Sequence, residues 1–240
     1  MTDRTGRGGQ RPVFVGCSHG TRSRRGRETV ISLLEQVQEA RPELDVYEAF
    51  VDVQRPRVDE VVAGVEPGRP VVVVPLLLTV GYHTRVDIAR AVRGRSGARA
   101  AAPLGPDRRL VDVLVDRLMA VGWHPDDALV VGFAGSSDPD SVPDTQVTLR
   151  WVSEALGAPA TAAYGAAREP SLQAAVAVAR KGGADRVALA SYLLAPGHFE
   201  SLAREAGADL VSAPLGADPR LVEIALERFD AALAGRSVES

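Results

Sequence analysis

The sequence predicts an α/β protein built from two similar, doubly wound lobes, each around a parallel sheet, that arose by internal duplication. Two observations predict this fold class. Residues 102–111 recur 111 positions later as residues 213–222, with eight of ten residues identical. Between such repeated segments, short apolar runs alternate with longer stretches whose apolar residues recur at helical spacing. This alternation indicates strands followed by helices, and therefore parallel strands covered on both faces.

The repeat extends over most of the chain. Three further pairs of segments keep the same order in both halves: residues 13–16 and 129–132, residues 55–56 and 169–170, and residues 75–83 and 191–198. Each half has the length of a small domain, so two lobes are expected and not a solenoid. We expect a disordered polar tail over residues 1–11, a first lobe over 12–121 and a second over 127–236. Gly122 and Pro125 interrupt the helical periodicity at the boundary.

The elements of the first lobe are predicted in order from its apolar pattern. Strands are expected in the apolar runs at residues 13–15, 46–53, 71–78 and 98–102. The uninterrupted valines at 71–74 suit a central strand that is buried on both faces. After Asp107 one helical face carries Leu110, Val111, Leu114, Val115 and Leu118, and the second half repeats it with Leu221, Val222, Ala225, Leu226 and Phe229.

Composition indicates a soluble cytoplasmic protein. Apolar residues make up 45% of the chain, and no apolar run reaches the roughly 18 residues that a membrane span needs. The polar start lacks the apolar segment of a secretory signal. The single cysteine, Cys17, excludes an internal disulfide and fits a reducing compartment. A net charge of −3 argues against general nucleic-acid binding, so we expect neither nucleic acid nor membrane as a partner.

Chemically active side chains follow three predicted strands of the first lobe. They are His19, Asp52 and His83. Because ligands of open α/β sheets bind beyond the carboxyl ends of the strands, we expect these side chains on one rim. Two imidazoles and a carboxylate suit a divalent metal such as Fe²⁺, Co²⁺, Ni²⁺ or Zn²⁺. Each residue taken alone could instead cap a turn or complete a hydrogen bond, and Cys17 is expected in the core.

The second half serves as a control for these residues. Aligning Gly16 with Gly132 places Gly135 opposite His19, and the proline anchors place Ala166 opposite Asp52. The fold therefore tolerates the loss of both side chains, so their presence in the first lobe indicates a chemical role. His198 is retained opposite His83, and for it a structural and a functional role both stay open.

Three segments carry a family resemblance. Cys-Ser-His-Gly-Thr-Arg at residues 17–22, Phe-Val-Asp-Val at 50–53 and Pro-Leu-Leu-Leu at 75–78, leading to Gly-Tyr-His at 81–83, resemble the sirohydrochlorin chelatases in their long, two-lobed form. These are the class II tetrapyrrole chelatases. The resemblance implies ATP-independent insertion of a divalent metal, usually Fe²⁺ or Co²⁺, into sirohydrochlorin, for sirohaem or a cobalamin precursor. It also implies that His19 and His83 are catalytic and bind the metal, together with an acidic residue.

That acidic residue is commonly Glu in the family, and Asp52 stands in its place, one methylene shorter. No permanently bound cofactor is expected, because the metal is a substrate, with Fe²⁺ favoured over Co²⁺ and Ni²⁺ not excluded. The sequence leaves the oligomeric state open, and a monomer is expected because fused lobes supply a cleft within one chain.

Arginines surround the predicted site. Arg22, Arg24, Arg25 and Arg27 follow His19, and Arg85 follows His83. Since sirohydrochlorin is a polycarboxylate, we predict that Arg22, Arg24 and Arg85 bind its carboxylates, against the alternative of a solvated basic loop.

Parts of the sequence suggest three other function classes. Residues 18–21 partly resemble the Arg-His-Gly start of histidine phosphatases, which would use His19 as phosphoryl acceptor, but Ser18 occupies the place of the required Arg. Residues 20–26 lack the Gly-Lys-Ser/Thr ending of a P-loop, so no nucleotide is expected. A metal or tetrapyrrole carrier without catalysis stays open as the third class.

Overall fold

A computed structural model describes residues 11–79, 81 and 84–235, with Thr84 and Arg85 described by their backbone alone. It contains two four-stranded parallel sheets. The strands of the first are β1 Val13–Ser18, β2 Asp45–Phe50, β3 Val71–Pro75 and β4 Ala98–Ala100. Those of the second are β5 Ala128–Phe133, β6 Ala160–Tyr164, β7 Val187–Tyr192 and β8 Leu210–Val211. The orders β2-β1-β3-β4 and β6-β5-β7-β8 are equivalent, which confirms the predicted duplicated fold class.

Helices connect the strands in both halves. They are α1 Arg24–Ala40, α2 Val58–Gly64, α3 Ala89–Arg93, α4 Arg108–Ala120, α5 Ser141–Leu156, α6 Leu172–Lys181, α7 His198–Arg204 and α8 Pro219–Leu233. A π-helical turn, Thr84–Ile88, precedes α3. Side-chain oxygens of Ser23, Asp107, Ser171 and Asp218 cap α1, α4, α6 and α8 by accepting a hydrogen bond from a first-turn N–H. Such caps satisfy backbone donors that have no partner within the helix.

The helices cover both faces of each sheet. In the first sheet Phe14 and Val72 point into a central core, while Val13 and Val71 point into an outer core, because side chains of a strand alternate between its faces. The central core is continuous between the lobes and contains α1, α4, α5 and α8. Outer cores lie under α2 and α3 in one lobe and under α6 and α7 in the other. This arrangement makes both lobes doubly wound.

The two sequence halves exchange their last helices. Helix α4 packs on α5 and β7 of the second sheet, whereas α8 packs on α1, β3 and β4 of the first. The Phe229 ring of α8 stacks on Phe14 of β1 with ring centroids 5.4 Å apart. On α4, the Arg108 guanidinium lies 4.8 Å above the centre of the Trp151 ring. Each sheet is thus covered by a helix from the other half of the sequence, and the bounds 12–121 and 127–236 for the two lobes stay a prediction.

The recurring decapeptide lies at the contact between α4 and α8. Two equivalent networks form there: Asp107 with Arg109 and Glu227, and Asp218 with Arg220 and Asp116. The Arg109–Glu227 and Arg220–Asp116 pairs are both 2.6 Å long. Because α4 and α8 contact each other through equivalent residues, the contact places the same requirements on both copies of the segment. This accounts for the high similarity of residues 102–111 and 213–222.

Two sequence predictions concern the start of the chain and membrane-spanning segments. Residues 1–10 of the predicted tail lie outside the described residues, but Arg11 is anchored by an ion pair to Asp45, at 3.3 Å. A disordered tail over residues 1–11 stays a prediction. In the described part of the chain, no helix combines the length and the apolar character needed to cross a membrane.

Candidate active site in the cleft between the lobes

A cavity of about 680 Å³ lies between the lobes. In each sheet the strand order reverses between the first strand and the third, that is, between β1 and β3 and between β5 and β7. Ligands of open parallel sheets bind beyond the strand ends at such a reversal. Here both reversals face the same cavity: residues 18–23 and 76–79 line it from one lobe, and residues 133–137 and 192–199 from the other.

His19 lies directly after β1 and lines the cavity with an exposed side chain. Gly20 follows in a left-handed conformation with φ of 93°, and a Cβ there would lie 2.9 Å from the carbonyl oxygen of Asp52. Glycine therefore allows the loop after β1 to lie against the loop after β2. The amide of Asp52 donates a hydrogen bond to the carbonyl of His19 at 3.3 Å. Asp52 is exposed beside His19, although the cavity lining itself includes its neighbour Val53 instead.

His83 lies outside the described residues, and so does the side chain of Arg85. The chain on the approach to His83 follows the cavity, because residues 76–79 and Gly81 line it. Within the described residues no group of three His, Cys, Asp or Glu side chains is close enough to hold a metal ion. A metal site formed by His19, Asp52 and His83 thus stays a prediction.

The predicted arginines have different surroundings. Arg22 lines the cavity. Arg24 is 86% exposed on the first turn of α1 and forms an ion pair with Glu28 at 2.8 Å, and among the described residues it is not part of the lining. The structure thus places Arg22, but not Arg24, where it can meet a ligand in the cavity.

In the structure, the two halves align one residue away from the predicted alignment just after the first strand of each lobe. In the first lobe the amides of Val51 and Asp52 donate to the carbonyls of Ser18 and His19. In the second lobe the amides of Gly165 and Ala166 donate to those of Phe133 and Ala134. Ala134, and not Gly135, is therefore the counterpart of His19, because aligning Gly16 with Gly132 shifts β5 by one position. Ala166 is the counterpart of Asp52, as predicted.

Two further residues of the sequence prediction have clear positions. His198 begins α7, is exposed, and lines the cavity beside Phe199, with ring centroids 5.4 Å apart. Cys17 is fully buried, as expected for a small core residue. Burial, with a smaller contribution from the charge of Asp87, raises the pKa of its thiol to about 12. Cys17 is accordingly a neutral thiol and not a thiolate ligand.

The second lobe contributes an aromatic wall and a cation. The Phe133 ring lies 6.0 Å from Tyr164 and 5.3 Å from Tyr192, centre to centre, and all three residues line the cavity. Burial raises the pKa of Tyr192 well above its usual range, so its phenol stays neutral. Arg168 also lines the cavity, and the strand-end argument missed it because it lies four residues beyond β6. The difference in charge between Arg168 and its counterpart Gln54 is the sequence signal that could have identified Arg168.

The geometry agrees with comparisons to known proteins. The model of the CbiX family matches residues 13–121 and 128–232. The chain belongs to the CbiX family. Two curated proteins are similar to this chain. The sirohydrochlorin cobaltochelatase of Sulfolobus acidocaldarius is 32% identical over 104 residues, which cover 41% of this chain and 83% of that protein. The sirohydrochlorin ferrochelatase of Priestia megaterium is 26% identical over 193 residues, covering 75% and 71%.

Solved structures have the same two-lobed fold. SirB from Bacillus subtilis with Fe³⁺ has a TM-score of 0.74 at 22% identity, covering 94% of this CbiX chain and 96% of SirB. SirB of subspecies spizizenii in complex with cobalt gives 0.71 at 19%, with the same coverage. A CbiX described as the terminal enzyme for biosynthesis of siroheme in denitrifying bacteria gives 0.64 at 19%, covering 92% and 99%. These likenesses extend over both lobes.

Proposed function

We propose that this protein inserts a divalent metal into sirohydrochlorin without ATP, with Fe²⁺ as the first candidate and Co²⁺ as the second. The observation that carries the proposal is His19, an imidazole at the strand-order reversal of the first lobe, facing a cavity that both lobes enclose. The names of the curated relatives support the reaction. Iron is placed first because the ferrochelatase relative matches 193 residues and the cobaltochelatase relative 104.

The chemistry calls for groups that are both ligands and bases. A tetrapyrrole loses its inner pyrrole N–H protons as the metal enters, so the site has to hold the metal loosely and accept protons near neutral pH. Imidazole can do both. In the proposal His19 and His83 hold the incoming metal on one face of the macrocycle, and at least one of them accepts a pyrrole proton. A small number of protein ligands favours release of the metal into the ring.

Asp52 is given a supporting role. Its backbone is tied to His19, and its carboxylate is exposed next to that residue. It can orient an imidazole or balance the charge of the metal, as carboxylates behind ligating histidines commonly do. Because Asp is one methylene shorter than the Glu common in the family, it is better suited to act through His19 than to reach a metal directly.

The cavity is suited to a flat, acidic macrocycle. Half-buried Tyr164, backed by the buried rings of Phe133 and Tyr192, offers apolar area to a ring face. Arg22 supplies a guanidinium that can pair with a carboxylate of the substrate. Both walls come from one chain, so a monomer contains the whole cavity.

Turnover separates this proposal from the alternative of a carrier. Under anaerobic conditions, sirohydrochlorin in excess over protein is mixed with Fe²⁺, Co²⁺ or Ni²⁺, and metal insertion is followed by the change in its visible spectrum. The proposal predicts many insertions per protein molecule, faster than the rate without protein, with at least one metal. Uptake of ligand in a ratio of one to one, without acceleration, would instead establish a carrier.

A further inference from the structure

Arg168 and Gln54 occupy equivalent positions in the two lobes. Both belong to the loop after the second strand, between a residue of positive φ, Val53 at 50° or Ala167 at 60°, and an isolated bridge back to the strand. Those bridges pair Phe50 with Arg57 and Tyr164 with Ser171. The two residues of each equivalent pair are separated by the same number of positions in the chain. Arg168 is therefore the counterpart of Gln54.

Both side chains tie this loop to the loop after the first strand of their own lobe. In the first lobe Oε1 of Gln54 accepts a hydrogen bond from the Thr21 amide at 2.7 Å. In the second, Nη2 of Arg168 donates to the carbonyl oxygen of Asp138 at 2.7 Å and to the hydroxyl of Ser141 at 3.4 Å. A neutral amide thus suffices for this connection in one lobe. The positive charge of Arg168 is additional to what the shared fold needs.

The residue that carries this charge lies at the cavity. Arg168 lines the cavity from the second lobe, whereas Gln54 is not among the described lining residues. The hydrogen bonds of Arg168 go to neutral oxygen atoms, and among the described residues no carboxylate oxygen lies within the 4.0 Å ion-pair distance of its guanidinium. The hydrogen bonds also fix its planar group in place, which lowers the entropy lost when a ligand binds.

We infer that Arg168 forms a carboxylate-binding subsite on the second lobe, opposite the lobe that carries His19. Its ligand is a peripheral carboxylate of the polycarboxylic macrocycle, and the inference therefore rests on the proposed function. Arg22 lines the cavity from the first lobe, so cations from both lobes meet the rim of the substrate. The lobe that lacks counterparts of His19 and Asp52 thus serves to bind and orient the substrate.

The first lobe suggests the variant that tests this subsite. Arg168→Gln places the side chain of the sister loop at the equivalent position, so the loop can keep a hydrogen bond while the charge is removed. Arg150→Gln is the matched control, because it removes an arginine of the same lobe that is 63% exposed on α5, and among the described lining residues Arg150 is absent. Arg168→Lys keeps the charge without the planar fork.

The experiment measures insertion kinetics with the metal that wild type uses and, separately, equilibrium binding of metal-free sirohydrochlorin. Arg168→Gln is expected to raise KM and the dissociation constant by about 5- to 30-fold, with kcat within about twofold, and to make both depend less on salt. Arg168→Lys is expected to recover part of the affinity, and Arg150→Gln to behave as wild type. Equal thermal melting of the variants excludes misfolding as the cause.

The two proposals fail in different ways. Wild type that binds sirohydrochlorin but inserts no metal contradicts the proposed function, while weaker binding by Arg168→Gln still supports the subsite. Wild-type turnover together with unchanged KM, binding and salt dependence in Arg168→Gln overturns the subsite and leaves the function standing. A loss of affinity that Arg150→Gln shares equally also overturns it, because a general charge effect then explains the result.

Discussion

His19 and Ala134 occupy equivalent backbone positions, and the difference between their side chains is what distinguishes the lobes chemically. The carbonyl of each accepts the corresponding hydrogen bond from the loop after the second strand. The imidazole is therefore not required by the fold. The same reasoning applies to Asp52 and its counterpart Ala166. For Gln54 and Arg168 it is the second lobe that carries the additional charged group. Because the chain is duplicated, side chains needed for the chemistry can be distinguished from those needed for the fold.

Part of this residue-scale picture could be predicted from the sequence. His19 and Asp52 were found because they directly follow apolar runs, and strand ends converge at the ligand-binding edge of a parallel sheet. Arg168 was missed because its exposure to the cavity depends on how the second lobe faces the first. The alignment of Gly16 with Gly132 was wrong by one residue, because glycine in a strand marks close packing and not a fixed position. A Cβ on Gly132 would lie 3.0 Å from the Leu172 side chain.

A glycine of α1 controls how closely the lobes approach at the cleft. A Cβ on Gly26 would lie 2.4 Å from the carbonyl oxygen of Pro196, which belongs to the loop before α7. We predict that Gly26→Ala destabilises the protein by about 1–3 kcal/mol, since neither backbone can yield without repacking. Urea unfolding measures the change.

Gly64→Ala is the matched control, because nothing lies within 4 Å of a Cβ at this last residue of α2. Alanine is the better helix former, so Gly64→Ala should leave the free energy of unfolding unchanged or raise it by up to about 1 kcal/mol. Equal effects of the two substitutions would contradict close packing at Gly26.

At the scale of elements, the paired helices α4 and α8 hold the lobes together through half-buried charge networks. Hydrogen bonds from Arg220 lower the pKa of Asp218, with burial opposing them. Burial raises the pKa of Asp107, but hydrogen bonds from Arg109 more than offset it, so the net shift is downward. A carboxyl whose pKa is lower in the folded state stabilises the fold at neutral pH. That stabilisation is lost as the pH falls through the folded-state pKa.

Asp218→Asn tests this coupling, because asparagine keeps the helix cap but removes the charge. At pH 7 we expect the substitution to lower the free energy of unfolding by about 1–3 kcal/mol, as for a hydrogen bond to a charged group. The difference should start to shrink as the pH falls below the ordinary Asp pKa of about 3.9, where the unfolded carboxyl takes up its proton, and should be lost below the lowered folded-state pKa. Asp126→Asn, at a side chain that is 91% exposed, should change stability little at either pH. A loss independent of pH would contradict a role for the charge.

At the scale of the whole molecule, exchange of α4 and α8 makes the two halves interdependent. The sequence predicted both duplicated units and the helical faces of α4 and α8, because these depend on local periodicity. It could not predict which sheet each helix covers, since the apolar faces of the two helices are nearly the same. The recurring decapeptide indicated duplication, and its place at the contact between α4 and α8 emerged only from the structure.

This exchange predicts how the first half behaves alone. A fragment of residues 11–123 contains the first sheet but lacks α8, which packs on α1 and β3. We expect two copies to associate, with α4 of each covering the sheet of the other, because α4 and α8 are equivalent elements. Sedimentation equilibrium together with circular dichroism measures association and folding. A folded monomer at all concentrations would contradict the mutual covering of the sheets.

The central claim is that the imidazoles of the first lobe, and not His198 of the second, perform the chemistry. The measurement that tests it most directly is anaerobic metal insertion into sirohydrochlorin by wild type, His19→Ala and His198→Ala, two substitutions of exposed histidines that line the same cavity. The account predicts that His19→Ala lowers kcat by about 100-fold or more, while His198→Ala stays within a few-fold of wild type. Full activity of His19→Ala, or equal loss in both variants, would contradict it.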